Sequence, residues 1–194
     1  MDHWRYYIQG RMLEAFGRRQ AAIAAYRSAL ASEPGFSRAS NRAAYLLASL
    51  ERYDEAEAYF RRTLMLEPGN AVAHFNLGYT LDKRGQHAQA VAEFLAATRL
   101  RPGLDRAWYG LGLAHAALGQ HLEAAAALEQ AATLQQMNPH AWYQLGMALH
   151  VTGNTERFEQ VVMHLLRFDP KMTRRLIVES GRTDLAHLVK DLMV

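Results

Sequence analysis

Residues 64–78 read LMLEPGNAVAHFNLG and residues 98–112 read TRLRPGLDRAWYGLG, so a Pro-Gly turn, an aromatic and Leu-Gly return after 34 residues. A fixed period of this length constrains the fold strongly. Each period must form one supersecondary unit that buries its apolar face by stacking on the next. With His3 as position 1, frames open at His3, Ser37, Ala71, Asp105 and Pro139 and run through Met172. Position 8 holds Gly10, Ala44, Gly78, Gly112 and Gly146. Position 20 holds Ala22, Ala56, Ala90, Ala124 and Phe158, and position 24 holds Tyr26, Phe60, Phe94, Leu128 and Val162. Position 32 is Pro34, Pro68, Pro102, Gln136 and Pro170, and position 15 is Gly17, Glu51, Gly85, Gly119 and Gly153.

Small residues at 8 and 20 let two helices approach closely, and the large residue at 24 fills space between units. Glycine near 15 suits a left-handed helix end. Proline at 32 closes a helix, because its ring and missing N–H are poorly tolerated inside one. The pattern therefore predicts a helix A over positions 1–14 and a helix B over 17–30 of each frame. Asn70 and Asn138 read as N-caps, with Pro139 at the first helical position. Phe158 replaces the small residue at position 20, so the fifth helix B is expected to pack differently.

The pattern resembles the tetratricopeptide repeat family over about nine-tenths of the chain. Trp108, Leu111 and Gly112, and again Trp142, Leu145 and Gly146, carry that family's W-x2-L-G signature. Ser40 at position 4 of the second frame, Gln136 and Phe158 depart from it. The resemblance implies an all-α fold, a right-handed α-solenoid of five helix hairpins (3–36, 37–70, 71–104, 105–138 and 139–172). Residues 173–194 fall outside the frames and are expected to be C-terminal capping helices. They hold Thr183 as a candidate N-cap, then Leu185, Leu188, Val189 and Leu192 at helical spacing. Burial against the fifth helix B is the first expectation for this apolar segment. An exposed patch ending on Leu192, Met193 and Val194 is the second. Helix A of the first frame has no earlier frame to cover it, which makes an open N-terminal face another candidate contact surface.

Composition narrows the chemistry. The chain has 194 residues, half of them apolar, with a net charge of +3, enough apolar material for a continuous core and too little charge for a concentrated nucleic-acid footprint. Lysine occurs only at 83, 171 and 190 against many arginines and alanines, which suggests a GC-rich, bacterial gene. The absence of cysteine excludes disulfides, thiolate metal sites and cysteine nucleophiles. MDHWRYYIQG lacks the features of a signal peptide, and no apolar run approaches the roughly 18 residues of a membrane span. The cytoplasm is the simplest location unless a leader has been trimmed.

Nine histidines invite a metal or catalytic reading. His87 and His121 share position 17, and His74 takes the slot of Trp108 and Trp142. His115 and His150 lack a third ligand, whereas zinc needs three or four. His187 has Asp184 and Asp191 at helical neighbours, which reads as an exposed ion pair. GLGLAH (110–115) lies within an expected helix with no preceding strand, so it is no dinucleotide loop. No enzymatic activity, metal or cofactor is expected.

The resemblance implies that a concave groove is lined by positions 2, 5, 6, 9, 12 and 13 of the A helices. Position 5 gives Tyr7, Asn41, Phe75, Tyr109 and Tyr143. Position 9 contributes Arg11, Tyr45, Tyr79 and Met147, and position 6 contributes Arg42, Asn76 and Gln144. Position 2 adds Arg38 and Arg106, and position 12 adds Glu14. Aromatic and arginine side chains are the types that carry binding energy at interfaces, and arginine holds carboxylates in bidentate fashion. The family's clamp for acidic chaperone tails is not reproduced, since of its motif only Asn76 and Arg106 fit. The expected function is a non-enzymatic adaptor holding a peptide or helical segment of a partner protein, with acidic and apolar anchors. The alternatives are a scaffold that self-associates through its terminal helices and a bacterial chaperone for a secreted or envelope client. Neither nucleic acid nor membrane insertion is expected.

Overall fold

A computed structural model of the chain describes residues 2–192, with side chains described through residue 190. Two compact units are present, Met1–Arg101 and Pro102–Val194. The described residues are all-α, without strands.

The first unit stacks three hairpins: α1 (Asp2–Ala15) with α2 (Arg19–Ser32), α3 (Ser37–Ser49) with α4 (Tyr53–Leu66), and α5 (Ala71–Lys83) with α6 (His87–Leu100). The helices fall where the period places them. The B helices α4 and α6 span frame positions 17–30, and the A helices α3 and α5 span 1–13. Close approach within a hairpin depends on the missing side chain at position 8. A Cβ on Gly10 would lie 2.5 Å from Tyr26 Cε1, and one on Gly78 would lie 2.9 Å from the Phe94 ring. Tyr26 and Phe60 are wholly buried and Phe94 nearly so, which makes position 24 the axis of the core. Four hairpin turns carry glycine at position 15 with φ of 72° to 73°, whereas Glu51 holds the same left-handed conformation at φ 59°. Asn70 caps α5, its side chain accepting from the Ala73 N–H at 3.0 Å.

Neighbouring hairpins of this unit are tied by side chains 28 residues apart. Arg27 donates to Glu55 at 2.7 Å, Arg61 to Gln89 at 3.3 Å, and Arg62 to the Pro34 carbonyl at 2.7 Å.

The second unit holds α7 (Asp105–Ala117) with α8 (His121–Leu134), then α9 (Pro139–Val151), α10 (Thr155–Leu166), α11 (Pro170–Glu179) and a terminal 3₁₀ helix, Thr183–Leu192. Asn138 caps α9 with Pro139 at its first turn. Asn154 and Asp169 cap α10 and α11 in the same way. Here the regular pattern changes. A Cβ on Gly112 would meet Leu128 of the same hairpin at 2.5 Å. One on Gly146 would instead meet Leu176 of α11, at 2.6 Å. The same hairpin carries Phe158, fully buried on α10 where other frames carry alanine, and the smaller Val162 at position 24. Leu176 of α11 supplies the side chain that seats on Gly146. Leu185 and Leu188 pack onto this unit's core and Val189 is buried within it, so the apolar terminal segment is covered as far as it is described. Thr183 opens the 3₁₀ helix rather than capping an α-helix. The side chains of Leu192, Met193 and Val194 lie outside the described residues.

Candidate functional site

On the A helices of the first unit, the expected groove residues divide into those engaged with their own chain and those left open. Tyr7 belongs to an aromatic cluster. Its ring packs edge-on to Trp4 and Phe36, with centroids 5.8 and 5.1 Å away, and tilts against Tyr26 at 5.7 Å. The Arg38 guanidinium lies 5.5 Å from the Trp4 ring centroid. Phe75 is half-buried against Phe94, its partner within the hairpin.

Two of the arginines expected to hold a partner's carboxylate hold one of their own. Arg42 meets Glu14 at 3.2 Å and Arg11 meets it at 3.9 Å, while the Tyr26 hydroxyl donates to Glu14 at 2.7 Å. Glu14 therefore joins the first two hairpins from the groove side. Burial first, and then this hydrogen bond, push the Tyr26 phenol well above its ordinary value.

Open on the same face are Tyr45 and Tyr79, 51% and 43% exposed, at position 9 of successive A helices. Lys83 Nζ sits 5.4 Å from the Tyr79 ring centroid. Half-buried Asn76 shares this face. Half-buried Asn41 has its side-chain oxygen removed from solvent with no hydrogen-bond partner among the described residues. Such an atom forfeits the hydrogen bond it would make in water.

In the second unit, Arg106 is exposed on α7. Tyr109 and Met147 pack partly buried against the core, and Gln144 is half-buried. Burial raises the Tyr109 phenol above its ordinary value. Tyr143 departs from expectation. It is only 7% exposed, its hydroxyl donates to Glu179 of α11, and Arg175 of α11 lies 4.9 Å from its ring centroid. The Leu176 contact with Gly146 sets α11 across α9, and Glu179, one turn along α11, then covers Tyr143. The chain itself closes this part of the expected groove.

The histidines are structural where their contacts are described. His74 Nε2 lies 3.0 Å from the Pro68 carbonyl. Trp108 and Trp142 donate to the carbonyls of Pro102 and Gln136, each at 2.8 Å. Position 4 thus ties helix A to the turn before it, and imidazole does the work of indole. His74 Nδ1 also meets Glu93 at 2.7 Å, and His187 contacts the Asp184 carbonyl. Among the described residues no group of three or more His, Cys, Asp or Glu could hold a metal ion. Among the described residues no helix is long and apolar enough to cross a membrane.

Two features escaped the sequence reading. The first is the set of side-chain bonds between hairpins, which the second unit repeats with reversed charge as Glu129 to Arg157. A carboxylate and an arginine at a constant 28-residue offset were its signal. The second is a depression of about 610 Å³ over α8, α9 and α10, lined by Leu122, Ala125, Leu149, Arg157 and Gln160 among others. It had no signal in the repeat pattern.

A family model described as tetratricopeptide repeat matches residues 7–71 and 109–172, and a second of the same description matches 47–118. No curated protein matches the sequence. Among solved structures, the chain is similar to YrrB, a tetratricopeptide protein with an unusual peptide-binding site (21% identity, 91% of this chain and 90% of that one, TM-score 0.79). It is similar to MamA from Desulfovibrio magneticus RS-1 (20%, 93% and 96%, 0.76). It is also similar to PilF of Pseudomonas aeruginosa (20%, 98% and 91%, 0.74). At these identities the likeness shows the fold.

Proposed function

The chain belongs to the tetratricopeptide repeat family, and on that premise we propose that it is a non-enzymatic adaptor that holds a peptide or helical segment of a partner protein on the A-helix face of its first unit. The observation that carries this reading is the open pair Tyr45 and Tyr79 at position 9 of successive A helices. Two half-exposed tyrosines on successive repeats offer apolar anchoring at low entropic cost. Arg38, with no carboxylate partner among the described residues, favours an acidic residue on that segment. The peptide-binding site named for YrrB supports the same use of the fold.

A pull-down from native lysate with wild type and with the Tyr45→Ala/Tyr79→Ala variant identifies the partner, and calorimetry with its isolated segment measures affinity. Loss of two anchor rings is expected to weaken binding by roughly 30-fold or more. Circular dichroism should be unchanged, because both rings are largely exposed. Equal affinity of the two proteins would sink the reading.

A further inference from the structure

Helix α1 carries a second surface. Trp4, Ile8 and Met12 of α1 and Phe16 in the turn directly after it, its N–H still bonded to the Met12 carbonyl, are all exposed, Phe16 at 79%. They recur every four residues, so each lies about 40° around the helix from the last and together they form one oblique apolar ridge about 18 Å long. The ridge starts at the groove edge with Trp4 and Ile8 and ends on the outer side of the first hairpin with Met12 and Phe16.

This outer side differs from the inner A-helix faces. At position 3, α3 and α5 bury Ala39 and Ala73 completely, whereas α1 places an exposed Arg5. At position 7, buried Ala43 and Leu77 correspond to an exposed Gln9. Arg5 projects within the arc of the ridge, between the directions of Met12 and Phe16. Arg18 and Arg19 follow Phe16, both exposed. Arg5, Arg18 and Arg19 make no ion pair among the described residues. Of the two carboxylates between Asp2 and Arg19, Glu14 is turned inward to Tyr26 and Arg42, which leaves only Asp2 at the helix start.

We propose that the α1 ridge is a docking surface for an acidic amphipathic helix of a partner protein, a contact separate from the Tyr45–Tyr79 face. A ridge of i, i+4 residues is what packs between the ridges of a second helix. Charge decides which helix. A second copy of this chain meeting α1 symmetrically would set arginine against arginine. A lipid surface would draw Arg5, which projects within the apolar arc, toward hydrocarbon at a desolvation cost. A helix with carboxylates flanking its apolar stripe satisfies Arg5, Arg18 and Arg19 while covering the ridge.

The test uses the full chain and two labelled synthetic helices with the same leucine stripe, one flanked by glutamates and the other by lysines, read by fluorescence anisotropy. The glutamate peptide is expected to bind at least about tenfold more tightly than the lysine peptide. Ile8→Ser/Phe16→Ser should abolish that binding, and Tyr45→Ala/Tyr79→Ala should leave it intact. Arg5→Glu should shift preference toward the lysine peptide, a gain that misfolding cannot mimic. The proposal is overturned if neither peptide binds or if both bind alike. It is equally overturned if phosphatidylglycerol vesicles alone are held through Ile8 and Phe16, or if those residues instead mediate self-association. Loss of peptide binding only in the Tyr45/Tyr79 variant would overturn it too, while leaving the groove reading standing.

Discussion

The Tyr26 hydroxyl of α2 donates 2.7 Å to Glu14 of α1, and the same carboxylate receives Arg42 of α3. One buried phenol is therefore bound to the ion pair that joins two hairpins. Burial and the hydrogen bond favour its neutral form, so its contribution to stability is complete below the ordinary phenol range near pH 10 and is lost as pH rises through the higher folded value. Absorbance at 295 nm should show at least one of the nine tyrosines resisting ionisation until the protein unfolds. Tyr26→Phe should cost about 1.5 kcal/mol at neutral pH and flatten the alkaline limb of the stability curve.

Gly146 and Leu176 can be tested as a pair. Gly146→Ala sets a methyl 2.6 Å from a side chain that is itself fully buried. The clash should outweigh the helix-propensity gain of alanine, with a net loss of about 1–2 kcal/mol. Leu176→Ala should cost about 2–4 kcal/mol through the cavity it leaves. The double variant should lose less than the sum, because the new methyl fills part of that cavity. Urea titration of the four proteins measures the coupling, and strict additivity would mean that the two residues do not share this space.

Glu51 is the one hairpin turn of this type without glycine, at φ 59°. A left-handed conformation costs a residue with a side chain roughly 1 kcal/mol, and Glu51 is exposed with no ion pair described. Glu51→Gly should raise stability by about 1 kcal/mol, seen as a higher urea midpoint at an unchanged slope.

Phe158→Ala would make the fifth frame match the other four. It should nonetheless destabilise by about 3–5 kcal/mol, because the ring is fully buried and lies under the Arg182 guanidinium at 5.2 Å. Thermal unfolding distinguishes this from the stabilisation that matching the other frames would suggest.

Helix positions were legible because a 34-residue pattern repeats its own evidence, but the large residue at position 24, read as filling space between units, seats on Gly10, Gly78 and Gly112 of its own hairpin. Phe158 signalled that α10 would pack differently. That Leu176 would seat on Gly146 was not legible, since periodicity places a side chain on a helix face without naming the helix that meets it. The same limit hid the engagement of Arg11 and Arg42 with Glu14 and the closure of Tyr143 by Glu179. Chain position made each of these look available, and only packing shows that the protein uses them internally. Tyr45 and Tyr79 were named from position alone, and their half-exposure is information that the sequence does not carry.

The side-chain bonds between hairpins have a kinetic consequence. Those described span at most 36 residues, from Tyr143 to Glu179, and most span 28 or fewer. Little loop must close before any of them forms, which is the condition for rapid folding. A nascent chain leaving the ribosome can therefore complete each contact soon after its later partner emerges, with earlier hairpins serving as the template for the next.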